Sequence, residues 1–429
     1  MQTSRPPALL PVLLGQIVFG LLAMTICLPS MQEWGDIFDA DNTRVQLTFS
    51  AFVLAYGGSQ LLFGPLSDRY GRRVVLLVGL ALGAAGSAAG ALVSDIDALI
   101  AARTLQGLGS GATMVIGRSL TQDFYSGAER TRVMAFIGMA LGLCPPTATV
   151  LGGQLHVWLG WQANLALMAA LAVVLFVLAW RLLPAHRHAA TRAVPPLHSV
   201  STATGTPGNS TSPEQSPEPA VSPPQQAWLT SMFRAYASLA RVPVFLLFVA
   251  LLASTTGAFY TFLSAAPLVL RGYGVGPDGV GFYVMLVPFS YITGNWLTSR
   301  LIRRVGDQGL MRAGQAFTCA SMGLMLLLAS VPSPLAFAMP VMLMGLGHGL
   351  MMPPTLSGSV GTVPSMAGAA AAVAGVLQQA TGALGGYLVG FISHDGSLQV
   401  AALMTAFTLA GVVSHWQLTR LQRSSRTGH

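Results

Sequence analysis

The chain contains no lysine: all 22 of its basic side chains are arginine, set against 14 acids. Charge of either sign is scarce, at 8% of 429 residues, where a water-soluble domain carries about a quarter. A surface so poor in charge is not built to face water. Cysteine is scarce too. Cys27, Cys144 and Cys319 each lie inside an apolar run and share no pairing or metal-ligand spacing, so they read as small packing residues. Phosphate loops, nucleophile elbows and metal clusters are absent; Gly107-Leu-Gly109 sits in an apolar run rather than after a strand. No cofactor or metal is expected, and an enzyme is the reading with least support.

What the chain has in abundance is apolar sequence, 53% of it, in long runs. A hydrocarbon core about 30 Å thick takes roughly 20 apolar residues per helix. Lipid leaves only helices or closed barrels, because backbone polar groups must be satisfied internally. These runs are continuous rather than alternating, which selects helices. The spans read as 8–29, 45–65, 74–93, 98–119, 133–155 and 162–183, then 244–270, 280–299, 310–331, 335–356, 367–393 and 400–418. The first follows Arg5 in the manner of a signal peptide, but it exceeds the usual signal core and no small-x-small cleavage site follows it. A retained first span is the better reading.

Between the two sets of six, residues 184–226 are rich in Pro, Ser and Thr and nearly devoid of large apolar side chains. Such a stretch is expected to be a disordered linker. Residues 228–241 then read either as a short interfacial helix with Trp228 and Arg234 at headgroup level, or as plain linker. The organisation expected is a six-helix half (1–183), a cytoplasmic linker (184–243) and a second six-helix half with a basic tail (244–429).

Arginine placement orients the chain. With the N-terminus inside, Arg69, Arg72, Arg73, Arg130, Arg132, Arg181, Arg187, Arg192, Arg234, Arg241, Arg300, Arg303, Arg304, Arg420, Arg423 and Arg426 all fall on the cytoplasmic side. The opposite side keeps Arg44 and Arg271 and collects Glu33, Asp36, Asp39, Asp41, Asp95, Asp97, Asp278 and Asp395. The positive-inside rule therefore puts both termini in the cytoplasm. The same placement explains the basic excess without a nucleic-acid partner.

The loop between spans 2 and 3 reads Gly64-Pro-Leu-Ser-Asp68-Arg69-Tyr-Gly71-Arg72-Arg73. Glycine permits the tight turn, and arginine can fork onto carboxylates and helix-end carbonyls. Taken alone, three arginines are also what any positive-inside loop would hold. The whole string resembles the signature loop of the major facilitator superfamily. Arg103-Thr-Leu-Gln106-Gly107-Leu-Gly109 resembles the superfamily's span 4 motif, and Val45-Gln46-Leu-Thr-Phe-Ser-Ala-Phe and Phe259-Tyr-Thr-Phe-Leu-Ser-Ala-Ala-Pro267 are similar to its bicyclomycin-resistance-type (Bcr/CflA) drug exporters. Residues 294–306 resemble a degenerate second copy of the signature loop, as a fold of two related halves requires.

The resemblance implies an all-α fold of twelve transmembrane helices in two pseudo-symmetric halves, in the bacterial inner membrane and by default monomeric. A central cavity opens alternately to either side, and the cargo is a small molecule exported in exchange for protons. It implies that Gly64, Asp68, Arg69, Gly71, Arg72 and Arg73 gate the cytoplasmic side. It also implies that Arg103, with Gln106, takes part in proton-coupled switching. Independently of any resemblance, a charge inside a span costs about 2.5–3.5 kcal/mol and marks a cavity or a partner. An arginine near a helix end can instead snorkel to the headgroups.

Two departures from that pattern stand out. The exporters carry Thr-Asp-Met-Tyr-Leu-Pro in span 1, where this chain reads Thr25-Ile26-Cys27-Leu28-Pro29 after Met24; no Asp or Glu remains inside any span. His348, in Gly345-Leu-Gly347-His348-Gly349, can substitute as a titrating group near neutral pH, or simply pack on a backbone carbonyl. Asp123, near Arg118, is a relay acid or a loop ion pair. In span 5 the usual Gly-Pro before Gly-Gly is lost; Pro145 and Pro146 lie upstream of Gly152-Gly153. The cavity is expected to be mainly apolar, lined by Met24, Thr25, Tyr56, Gln60, Phe259, Tyr260, Phe262 and Gln378. That lining suits amphipathic compounds and disfavours strongly cationic ones. Besides a proton-driven exporter, an uncoupled facilitator or metabolite carrier and a non-transporting sensor or scaffold stay open. A scaffold has no use for a gate loop.

Overall fold

The computed structural model describes residues 9–183, 234, 236–363, 366–393 and 396–427. The expected linker at 184–226 and the start of the expected interfacial helix at Trp228 lie outside them. Residues 236–239 are helical and lead into the second half.

The described residues form thirteen helices: α1 (Leu9–Thr25), α2 (Met31–Phe38), α3 (Asn42–Tyr70), α4 (Arg72–Leu92), α5 (Ile96–Phe124), α6 (Gly127–Leu159), α7 (Gln162–Leu182), α8 (Pro243–Gly272), α9 (Pro277–Val284), α10 (Leu286–Leu327), α11 (Pro334–Gly361), α12 (Ala367–Val389) and α13 (Leu398–Thr427). Seven of them are long and apolar enough to cross a membrane: α3, α4, the apolar parts of α6 and α13, α7, α8 and α11. Helix α1 is apolar but shorter, at 17 residues. Helix α5 carries Arg103 and Arg118, and α12 is built largely of alanine and glycine. Helix α10 bends back at Gly306, where φ is +72°, so its two legs are separate crossings, the first entered through α9. Adding α1, α5, α12 and those two legs to the seven makes twelve crossings, six in each half.

Gly71 joins α3 to α4 in a single residue at φ +90°, and Gly306 makes the matching turn of the second half. Only glycine takes such angles without strain. The signature loop and its degenerate copy are therefore the same sharp reversal. At the other end of the bundle, Asp41 and Asp95 cap α3 and α5 by accepting from the N–H groups of Arg44 and Ala98, each at 2.8 Å. These caps satisfy helix-end donors and favour the local dipole. Acids thus gather at one end of the bundle and arginines at the other.

Helix α5 is the hub of the first half, packed against α1, α3 and α4. It gets close through glycine: a Cβ on Gly109 would lie 2.3 Å from the backbone nitrogen of Gly83 in α4. Small residues let helices approach where lipid supplies no hydrophobic drive. The halves meet along two seams, α3 against α12 and α6 against α9.

Candidate functional site

Arg103 is 2% exposed. That burial speaks against snorkelling: the guanidinium turns into the bundle, where helices α1, α3 and α4 surround α5. It donates to the Ala23 carbonyl of α1 at 2.7 Å and to Gln106 Oε1, and lies 4.4 Å over the Phe52 ring of α3. Gln106 Nε2 passes the chain on to Ser87 Oγ of α4 at 2.7 Å. Four helices are thus tied at one point. Neutral oxygens and a π face stand in for a carboxylate, and Nε keeps no partner. A buried cation held this way is costly unless those contacts persist.

Below this joint, Tyr56 and Gln60 share a face of α3. The neighbouring Phe49 meets Tyr260 of the second half edge-on, with ring centroids 5.9 Å apart. Tyr260 donates its hydroxyl to Gln379 Oε1 at 3.2 Å. Gln379, the neighbour of the expected Gln378, is thus the amide that faces Tyr260. Phe259 is half-buried beside Tyr260, at 5.7 Å between rings. Phe262 is fully buried against Phe337 of α11, 5.3 Å away. It is a packing residue of the second half, and the cavity assignment for it is corrected. Met24 is buried near the Arg103 joint. Thr25, standing where the exporters have aspartate, is fully buried and donates to its own helix at Leu21 O, 2.8 Å away.

At the arginine end, Arg72 pairs with Asp123 of α5 and reaches Asp68 at 4.0 Å, while Arg73 donates to the Trp180 carbonyl of α7. Asp123, in the last turn of α5, is thus ion-paired with Arg72. Arg69 lies over Tyr70, and Asp68 is largely exposed. Gly64 faces Val115 of α5 at ordinary contact distance. Arg72 and Arg73 brace the ends of α3, α4, α5 and α7.

The Major Facilitator Superfamily model matches residues 12–386. The chain belongs to the major facilitator superfamily. It is 26% identical over 95% of both chains to Multidrug resistance protein D of Escherichia coli. It is also 24% identical to a Bicyclomycin resistance protein homolog of Haemophilus influenzae, over 96% of this chain and 97% of that one. The match to a D-xylose-proton symporter structure, at TM-score 0.67 and 13% identity over 96% of each chain, confirms the fold. This facilitator is a multi-pass membrane protein that resembles the bicyclomycin-resistance-type exporters.

Two further sites of the facilitator matter. His348 is buried in α11, and its Nε2 has no hydrogen-bond partner. The glycines around it are spent on packing: Gly345 and Gly349 press on the first leg of α10, Gly347 on the second. His348 and Arg103 stand in opposite halves and are not brought together.

Sequence reading did not single out the contacts that α2 makes with the second half. Gln32 donates to the carbonyls of Pro267 and Val275 at 2.6 and 3.3 Å. Arg271 returns to Gln32 O and Asp36, both at 2.6 Å. The same helix is pinned to its own half by His156, which contacts Ser30 Oγ at 3.0 Å and Glu33 at 2.9 Å. A cavity of about 410 Å³ beneath α2 is lined by Gln32, Asp36, Asp39 and Arg271. It belongs to the latch and contains none of the expected cargo residues. Only the spacing of Glu33 and Gln32 on a short amphipathic stretch could have signalled α2.

Proposed function

We propose that this protein exports small amphipathic organic compounds across the bacterial inner membrane by alternating access. The observation that carries the reading is the lining between the halves: Tyr56, Gln60, Phe259, Tyr260 and Gln379 offer rings and amides around a seam that can open. Mostly apolar lining with a few convergent polar groups is what small-molecule sites require. The names of the two relatives support drug or metabolite efflux. The arginine end is cytoplasmic by the positive-inside rule, which puts both termini inside. Residues 1–183 and 244–429 are the rocking halves, and 184–243 tethers them. In this arrangement the outer seam is shut by α2, and Arg103 is the joint that re-forms as the halves rock.

Exchange against protons, with His348 as the titrating group, is the coupling expected of the group. Thr25 favours a second reading, because its hydroxyl is satisfied by its own helix and cannot replace the lost carboxylate. The carrier is then an uncoupled facilitator. Proteoliposomes with a pH-sensitive lumenal dye separate the two. Drug-dependent proton movement, lost in His348→Ala, means antiport; drug flux without a proton signal means a facilitator. No flux of any compound sinks export altogether.

A further inference from the structure

The outer latch is seated on a side chain that can change its charge. Ser30, Glu33, His156 and Asn164 converge behind α2 from three parts of the chain. The His156 side chain is 6% exposed, with Nε2 2.9 Å from Glu33 Oε2 and Nδ1 3.0 Å from Ser30 Oγ. Asn164 Nδ2 of α7 donates to the same Ser30 Oγ at 3.1 Å and to the Gly152 carbonyl of α6 at 3.0 Å. One residue on, Gly153 abuts Pro277 and Asp278 of the second half. The cluster therefore stands directly behind the seam between α6 and α9.

The imidazole fits this place in either charge state. Neutral, it donates from Nε2 to Glu33 and accepts the Ser30 hydroxyl at Nδ1. Charged, it donates from both nitrogens, and Ser30 Oγ has a lone pair for each of its two donors. Charging the ring turns the contact with Glu33 into an ion pair and so strengthens it. Helix α2 has eight residues, too few to be stable unaided. Its seating on α6 thus decides how Gln32, next to Glu33, is presented to Pro267 and Val275 across the seam. At this end the elements around His156 bring Glu33 and Asp36 on α2, Asp97 on α5, and Asp278 and Tyr283 on α9; α1, α7 and the first leg of α10 bring no charge. Carboxylates ordinarily titrate below histidine and tyrosine above it. Among the described residues, His156 is thus the side chain at this end suited to change charge between about pH 5.5 and 8.

We propose that the latch is a pH-sensitive regulator: a proton from the outer solution, held by His156 against Glu33, keeps the outer seam shut. This rests on the alternating-access reading and adds regulation to it. Glu33 is 46% exposed at the acid end, so the proton enters and leaves on that side. The pair then sets how often the outer side opens, without carrying protons across the membrane. An acidic exterior favours the state that collects cargo from the cytoplasm, and a basic one loosens it.

Spin labels at Leu92→Cys and Val331→Cys, in a background lacking Cys27, Cys144 and Cys319, report the seam. Both positions are exposed at the acid end, one in each half. Distances measured in nanodiscs by double electron–electron resonance should show the open-to-shut ratio rising about threefold or more between about pH 5.5 and 8. His156→Gln, which can hydrogen-bond but not charge, and Glu33→Gln should each hold the ratio near the parent's high-pH value throughout. A shut-state distance equal to the parent's shows that the variants are folded. No pH response in the parent, or a full response in either variant, overturns the inference. Gly281→Val, which crowds the seam at Val150, separates this failure from a deeper one. If it raises the ratio while pH does not, the regulator falls and alternating access stands. If one distance persists through every pH and variant, alternating access falls with it.

Discussion

The two ends of the seam between the halves are held by opposite means. At the acid end, the contacts cross from half to half and are mostly neutral. Gln46 donates to Ser264 O at 2.9 Å, Thr43 to Gly390 O at 3.1 Å, and Gln32 to two carbonyls of the second half. Backbones touch there: a Cβ on Gly281 would lie 2.6 Å from Val150 Cα, and one on Gly390 2.6 Å from Thr43 Cα. At the arginine end, the charged groups contact their own half. Arg72 holds Asp123, Arg73 holds Trp180, and Gln308 of the second half bonds Gln422. The lesson is mechanical. Close packing of small residues closes one end, while the charges at the other make each half rigid in itself. Two rigid bodies joined at one end can rock.

Breaking the Arg103 joint should have the largest effect. Arg103→Gln leaves the Ala23 carbonyl and Gln106 short of a donor, at about 1–3 kcal/mol for each buried group left unpaired. Drug flux in proteoliposomes should fall at least tenfold while the protein still folds. Arg103→Lys should not restore it, because a single ammonium cannot reproduce the fork over Phe52. Normal flux in either variant means that the joint is not part of the rocking.

Prising the close-packed end comes next. Gly281→Val forces a side chain into the Val150 backbone, and overpacking of this kind costs about 1–3 kcal/mol. The closed seam should lose roughly tenfold or more in population. Faster labelling of buried Cys27 by an impermeant maleimide, in a background lacking Cys144 and Cys319, would report it. Unchanged labelling would show that the seam gives way elsewhere.

Loss of the ionic part of the latch should matter less. Arg271 and Asp36 are both half-exposed or more, and such pairs are worth about 0.2–1 kcal/mol. Arg271→Gln should raise Cys27 labelling by no more than about fivefold, and high salt should mimic it in the parent protein. An effect as large as that of Gly281→Val would mean that charge, rather than packing, shuts the acid end.

The smallest change is expected at the other end. Asp68 is 71% exposed and 4.0 Å from Arg72, so Asp68→Asn should slow flux only about two- to fivefold and leave Cys27 labelling unaltered. A complete block would mean that Asp68 makes its decisive contact in the opposite state.

Much of this was legible in the chain. Twelve runs, the single-residue reversal at Gly71 and its echo at Gly306 all follow from local properties. Hydropathy over a span and the φ angle of one glycine depend on no distant neighbour. Arg103 stood out because a charge in a span is expensive wherever that span packs. Other features were hidden. The amide facing Tyr260 is Gln379 and not Gln378, and one residue turns a helix by about 100°, so composition cannot choose between them. Phe262 reads like Phe259 in sequence, yet one fills the space before Phe337 and the other borders the seam.

Sequence by itself determined how often this chain crosses the bilayer, where it turns back, which end is basic and which family it belongs to. Those are properties of segments, set by the cost of placing polar groups in lipid. Tertiary structure alone decided which polar groups meet: Ser30 and Glu33 with His156, Gln32 with Arg271, and Arg103 with Ala23 and Phe52. Such pairings depend on which helix faces which, and that is settled by small residues packing at a distance along the chain.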